Sequence, residues 1–277
     1  MVLEYLVDVF SVEKKPWDAF FLGMIYVFLA SFLAFKLFPD SSSIVSVLFV
    51  VIASLPLVYD AIRFEEKEDF SLSDESHILE QHKKFALFIL FLFFGFSMGF
   101  FLLYVFLPSS ISSSLFSSQI STIQSVGSPS GFFYSPLRSF WFIFLNNLKV
   151  LTFCLLFSFL YGSGAIFILS WNASVFGVAV GVFFKKMISD FVPSLSSYFA
   201  VGTISILRYA IHGIPEITAY LLAGLAGSLI STAIVNKDFR SKSFYKVLDD
   251  SSDLIVISIL FLFLAALLEV FITPLFF

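Results

Sequence analysis

An imidazole and a carboxylate interrupt a long apolar stretch near its middle. His212 and Glu216 flank a Gly-Ile-Pro sequence inside an apolar run from about Tyr198 to Val235. These two side chains can exchange protons or share a transition metal ion. Ionisable groups at membrane depth are costly, and they usually face a protein interior or a cavity. The segment therefore predicts a polar site inside a membrane protein.

The spacing of neighbouring residues leaves two geometries open for this site. Arg208, His212 and Glu216 recur every four residues, so one continuous helix would place them on one face. Gly213 and Pro215 instead favour a hinge. In that case Glu216 would lie in the first turn of a second helix, where the helix dipole favours a carboxylate.

Few other ionisable residues occur in the apolar runs, and they suggest a structural role. Glu216 or Glu269 could neutralise Lys149 or Arg208 and so fix the register between helices. The functional alternative is an ion, proton or substrate site. Two candidate ligands in one motif are too few to predict a metal, and the sequence has no zinc-protease, nucleophile-elbow or phosphate-loop motif. We therefore predict no metal, no cofactor and no catalytic residue, and we favour a protein that is not an enzyme.

The amino-acid composition indicates that the chain folds in a lipid bilayer and not in water. Hydrophobic residues make up 59% of the 277 residues and charged residues 13%, and the mean hydropathy is +0.98. Soluble globular domains have about 45–50% apolar and about 25% charged residues. The chain is thus predicted to be a single integral membrane domain (1–277) in contact with a lipid bilayer. Its net charge of −4 and the absence of a basic face argue against nucleic acid as a partner.

The apolar runs predict an all-α, polytopic transmembrane helical bundle. A run of about 20 apolar residues spans the hydrocarbon layer as a helix. Between Tyr161 and Val235 the polar interruptions suggest a re-entrant or half helix at Ala173–Phe184, followed by helices at Tyr198–Ile211 and Pro215–Val235. The total is about seven spans plus one partial helix. The five clear spans are Trp17–Phe38, Ile44–Ile62, Phe85–Leu107, Phe140–Leu160 and Leu254–Leu275.

Lysine and arginine in short loops predict the orientation of a multi-pass protein in the cell membrane, because these residues are retained in the cytoplasm. The charged loop 63–84 is predicted to be cytoplasmic, as is the N-terminus. The serine-rich segment 108–139, which has one cation and no carboxylate, is predicted to be external. The C-terminus is then external. Lys185 and Lys186 agree with this orientation only if Ala173–Phe184 is re-entrant.

Pairs of small residues four positions apart predict close approach of helices. Gly95 and Gly99, Gly177 and Gly181, and Ala223 and Gly227 have this spacing, which lets helix backbones pack closely in lipid. Such packing serves contacts within one chain or between chains. We therefore expect the partners to be other membrane proteins or a second copy of this chain.

Three segments within 140–235 resemble the stage II sporulation protein M family. They are the sequences FLNNLKV at 144–150, LSWNASVFG at 169–177 and HGIPEITA at 212–219. The resemblance implies a polytopic membrane protein, and the sporulating bacterial members of that family work with cell-wall-degrading enzymes. The positions that match the family pattern are Asn146, Asn147, Asn172, Gly177, His212, Gly213, Pro215 and Glu216.

Two functions remain open at this point. The resemblance, the small-residue helices and the lack of a nucleophile with a base favour a scaffold or assembly component of a membrane complex. The alternative is a transporter or channel for an ion or small solute. It would use broken helices around Trp171–Phe184 and His212–Glu216, because discontinuous helices present their ends to ions.

Overall fold

The structure is a computed structural model that describes residues 16–69, 75–127, 135–161, 164–192, 194–235 and 242–276. These residues are helical almost throughout and include no strand. A 3₁₀ turn at Pro39–Ser41 joins the first two helices, and a π-helical turn at Leu268–Ile272 joins the last two. The α-helices are α1 (Pro16–Leu37), α2 (Ser42–Asp69), α3 (Glu75–Phe106), α4 (Ser109–Leu115), α5 (Ser117–Gly127), α6 (Pro136–Tyr161), α7 (Ala165–Ile188), α8 (Leu195–Val235), α9 (Lys242–Leu267) and α10 (Thr273–Phe276).

Seven helical segments of the described chain are long and apolar enough to cross a bilayer. They are carried by α1, α2, α3, α6, α7, α8 and the continuous run from α9 to α10. Helices suit this solvent because each backbone N–H and C=O in the hydrocarbon layer must find its partner within the protein. The prediction of an all-α, polytopic bundle is confirmed.

The division of the chain between 161 and 235 differs from the one predicted. Ala173–Phe184 is not re-entrant, because it lies inside the continuous helix α7. Pro215 does not separate two helices either, since α8 runs through it for 41 residues. A proline inside a membrane helix is tolerated when neighbouring helices and local adjustments satisfy the freed backbone group. Two long helices therefore replace the predicted half helix and two shorter spans.

Helix α7 lies between two groups of helices, with α1–α3 on one side and α6, α8 and α9 on the other. Glycines allow the close approach. A side chain at Gly95 would collide with the Phe20 backbone of α1, and one at Gly177 would collide with the Ser97 carbonyl of α3. Within the first group, buried phenylalanines of α3 fill the centre. They are Phe88, Phe93, Phe96 and Phe100.

Part of the serine-rich segment folds against the bundle. Leu115 and Phe116 are buried between α4 and α5, and Phe116 contacts the ring of Phe100 on α3. The Gln119 side chain is fully buried, and its amide nitrogen donates to the Ser43 carbonyl of α2 and the Ser174 hydroxyl of α7, both at 3.2 Å. The segment predicted as an external loop thus includes two helices, α4 and α5, packed on the membrane helices.

Because α7 is continuous, Lys185 and Lys186 do not lie where the predicted re-entrant segment would have placed them. Helices α7 and α8 are antiparallel, because Phe184 contacts Tyr198 whereas Phe176 contacts Tyr209. Lys185 and Lys186 therefore lie at the end of this pair opposite to Val235. The Lys185 ammonium lies 4.8 Å from the centre of the Tyr104 ring. The re-entrant arrangement that would have kept these two lysines in the cytoplasm is absent.

Candidate functional site

A cluster of ionisable and aromatic side chains lies near the middle of α8. Glu216 is 21 residues from the beginning of this helix and 19 from its end. Because the helix is continuous, Arg208, His212 and Glu216 share one face, as the first of the two predicted geometries requires. Tyr220 extends the same series by one turn.

Glu216 accepts a hydrogen bond from the next polar residue on this face. The Tyr220 hydroxyl donates to Glu216 Oε1 at 2.8 Å, and the Tyr220 side chain is fully buried. Hydrogen bonds to a carboxylate are shorter and stronger than those between neutral groups. The bond holds the Glu216 carboxyl on the protein side of the helix, where Glu216 itself is only partly exposed.

A second carboxyl group approaches from the C-terminal part of the chain. Glu269 lies in the π-helical turn between α9 and α10, within electrostatic range of Glu216 and Tyr220. A π turn contains one residue more than an α turn, and such turns are frequent at functional sites. The structure therefore brings the Glu269 carboxyl group of the C-terminal span toward Glu216 on α8.

The basic end of the cluster lies toward the start of α8. The Arg208 guanidinium lies 4.6 Å from the centre of the Phe183 ring, and it interacts with Tyr209 and His212. The rings of Tyr209 and His212 are 6.2 Å apart. The His212 Nδ1 atom is buried and has no hydrogen-bond partner among the described residues. Arg208 and Glu216 are eight residues apart, which is about 12 Å along a helix.

The remaining motif residues of α7 and α8 serve helix contacts. Gly213 is buried where a side chain would meet the Phe176 ring of α7. Gly177 forms the close contact with α3 described above. The Asn172 amide donates to the Ile168 carbonyl of its own helix at 2.8 Å. These residues position α7 and α8 rather than add ligands to the cluster.

The motif on α6 is not part of the cluster. Asn147 is buried, whereas Asn146 and Lys149 are exposed on the outer side of this helix. Lys149 forms no hydrogen bond or ion pair with any described residue. The hypothesis that Lys149 neutralises Glu216 or Glu269 is therefore not supported by the structure.

The number and type of side chains that could act as ligands limit what the cluster can bind. Within the ranges that the structure describes, no group of three or more His, Cys, Asp or Glu side chains could hold a metal ion. The two carboxyl groups and the imidazole can bind protons or a monovalent cation, or they can act as a polar clamp. Sequence reasoning missed Tyr209 and Tyr220. The interval of four between Glu216 and Tyr220 is a signal that could have found the latter.

Comparison with known proteins gives one family. A family model described as stage II sporulation protein M matches residues 84–274, more than two thirds of the chain. The match begins in α3 and extends to α10, well beyond the region 140–235 in which sequence motifs were visible. Searches of curated proteins and of solved structures gave no match.

Proposed function

This chain belongs to the stage II sporulation protein M family, and we propose that it acts as a scaffold or assembly component of a membrane complex. The observation that carries the proposal is the uneven burial of its helices. In the apolar 18-residue stretches of α6 and of the C-terminal span 22% of the residues are buried, compared with 33% in α1 and 50–56% in α2, α3, α7 and α8. One side of the bundle thus presents a broad helix surface to the membrane, where other proteins can pack.

The polar cluster supports this role from the interior. Glu216 and Tyr220 belong to α8, and Glu269 belongs to the turn that follows α9. The hydrogen bond between Tyr220 and Glu216 lies within α8, and Glu269 places a carboxyl group of the poorly buried C-terminal span within electrostatic range of both residues. A polar clamp of this kind fixes the position of the outer helix, and so the shape of the surface offered to a partner.

The test is Glu216→Gln, followed by chemical cross-linking in native membranes. Glutamine keeps an oxygen that can accept the hydrogen bond from the Tyr220 hydroxyl but removes the ionisable carboxyl group near Glu269. We expect the cross-linked assemblies to be lost or reduced while the amount of protein in the membrane is maintained. Asp253→Asn is the matched control, because it makes the same chemical change at an exposed site on α9. Unaltered assemblies in the Glu216 variant would refute the proposed clamp.

A transporter for a proton or small cation is the second candidate. The observation in its favour is the presence of Glu216, Glu269 and His212 along membrane-spanning helices, where ionisable residues often mark ion paths. The broken helices on which the sequence analysis based the transporter hypothesis are not present, because the helices through 171–184 and 212–216 are continuous. The test is flux in liposomes. Purified protein that moves protons or small cations faster than empty vesicles would favour this function over a scaffold.

A further inference from the structure

The two sides of α6 differ in their contacts with the protein. The buried side chains recur at helical spacing and face the bundle, as Phe140, Phe144 and Leu151 do. Side chains on the opposite side are exposed, and we call them the outer face of α6. It consists of Phe142, Leu145, Asn146, Lys149, Thr152, Phe153, Leu156 and Leu160.

Lys149 is at the centre of this outer face. It lies 13 residues after Pro136 and 12 residues before Tyr161, so about 18–20 Å of helix separates it from either end. A lysine near the end of a membrane helix extends its ammonium group to the interface, but one at the middle is far from both interfaces. A cation at this position that faces lipid is unfavourable. The position therefore calls for a partner.

That partner is not found within the described chain. Neither Lys149 nor Asn146 forms a hydrogen bond or ion pair with a described residue. Thr152 on the same face differs, because its hydroxyl donates to the Leu148 carbonyl of its own helix at 2.8 Å. Two polar side chains one helical turn apart, Asn146 and Lys149, thus point away from the bundle with their hydrogen-bonding groups unused.

We infer that the outer face of α6 binds a transmembrane helix of a different membrane protein, one that carries an aspartate or glutamate near its middle. The inference rests on the proposed scaffold function and names the kind of partner. A carboxylate opposite Lys149 would neutralise the ammonium group. Asn146 would add a hydrogen bond across the helix pair, and the flanking phenylalanines and leucines would supply the packing surface.

A second copy of this chain fits the surface less well. In a two-fold symmetric dimer formed through α6, the two Lys149 side chains would approach each other, and like charges repel. The described chain also offers no suitable carboxylate to a neighbouring copy. Glu216 and Glu269 are partly buried in the cluster. The exposed aspartates of the described chain lie toward the ends of the apolar runs and not near their middle; they are Asp18, Asp40, Asp60, Asp190, Asp249, Asp250 and Asp253. Charge complementarity therefore favours a different protein.

The experiment uses the full-length protein in the membranes of its own host. A photoreactive amino acid replaces Phe153, which is 53% exposed and one turn from Lys149. The control position is Phe32, which is 62% exposed on α1. We expect an adduct from position 153, and not from position 32, with a protein whose transmembrane helix has a central Asp or Glu. Lys149→Glu should reduce that adduct about tenfold, which corresponds to about 1.4 kcal/mol.

The test becomes specific when the charge of Lys149 and the charge of the partner's acidic residue are both reversed. Replacement of the partner's acidic residue by lysine should restore the adduct with Lys149→Glu and weaken it with Lys149. A second variant, Lys149→Met, should also lose the adduct while the purified protein keeps its melting temperature, which excludes misfolding as the cause. An adduct with a second copy, with lipid only, or with a partner whose capture does not depend on Lys149 would overturn the inference.

These outcomes also separate this inference from the scaffold proposal. Protein adducts from position 153 that are insensitive to Lys149 would leave a scaffold that recognises its partner by other residues. Lipid adducts alone at every exposed position, together with unchanged assemblies in Glu216→Gln, would remove the scaffold proposal as well.

Discussion

The pair formed by Glu216 and Tyr220 is the best defined polar contact in the membrane-spanning part. The tyrosine is fully buried, so its hydroxyl has no access to water when it is not bonded to Glu216. The carboxyl in turn depends on this donor, because its other neighbour, Glu269, is also acidic. The stability of this region is therefore sensitive to single polar atoms.

Tyr220→Phe tests this dependence. The variant keeps the aromatic packing but leaves the Glu216 carboxyl without its donor, which should cost about 1–3 kcal/mol. For a protein of this size each kcal/mol lowers the melting temperature by about 2–4 °C. Thermal unfolding in detergent or nanodiscs measures the change. The control is Thr152→Val, which removes an exposed hydroxyl bonded to its own helix. Equal melting temperatures for the two variants would show that the hydrogen bond between Tyr220 and Glu216 does not stabilise the fold.

Sequence reasoning identified part of this cluster and missed the rest for a physical reason. His212, Glu216 and Glu269 are conspicuous because ionisable residues are rare in apolar runs. The orientation of Lys149 was not predictable in the same way. Helix α6 is apolar on both its protein-facing and its lipid-facing sides, so hydrophobic periodicity does not indicate which side faces inward. The structure places Lys149 on the outside and leaves it available for the partner inferred above.

At the scale of helices, glycine contacts determine how closely the elements approach. A methyl group at Gly177 would overlap the Ser97 carbonyl oxygen of α3. Backbone atoms cannot move aside as a flexible side chain can, so the helices would have to separate. Gly202 on α8 is different, because the nearest atom to a methyl group there would be in the Phe184 ring at 3.8 Å.

Gly177→Ala and Gly202→Ala form a matched pair of variants. We expect Gly177→Ala to destabilise the protein by about 1–3 kcal/mol through overpacking. Gly202→Ala should be neutral or slightly stabilising, because alanine favours the helix and the space is open. Chemical or thermal unfolding of both variants in the same detergent measures the difference. A Gly177 variant as stable as the Gly202 variant would show that α3 and α7 are not in close contact.

The boundaries of the helices were less predictable than their presence. Gly213 and Pro215 end helices in water, but in lipid the backbone has no other hydrogen-bond partners and the helix continues. The role of Gln119 was also hidden. Its bonds to Ser43 and Ser174 join residues 76 and 55 positions away, and a serine-rich stretch gives no local sign of such contacts.

The whole molecule combines two helix groups around α7, and the family match covers them unequally. Residues 84–274 include α6, α7, α8, α9 and most of α3, whereas α1 and α2 lie outside the match. The polar cluster and the outer face of α6 both belong to the matched part. Because α7 contacts α2, α3 and α8, displacement of α7 would disturb both groups at once.

The antiparallel course of α7 and α8 predicts which segments lie on opposite sides of the membrane. If the N-terminus is cytoplasmic, seven spans place the α7–α8 turn outside and the α8–α9 turn inside. Ser189→Cys and Lys246→Cys test this arrangement, since both positions are exposed and the native Cys154 is fully buried. A membrane-impermeant maleimide added to intact cells should label position 189. It should label position 246 only after the cells are permeabilised. Labelling of both positions from the same side would show that α8 does not cross the membrane. The reversed pattern, with position 246 labelled in intact cells and position 189 only after permeabilisation, would place Lys185 and Lys186 in the cytoplasm and the N-terminus outside.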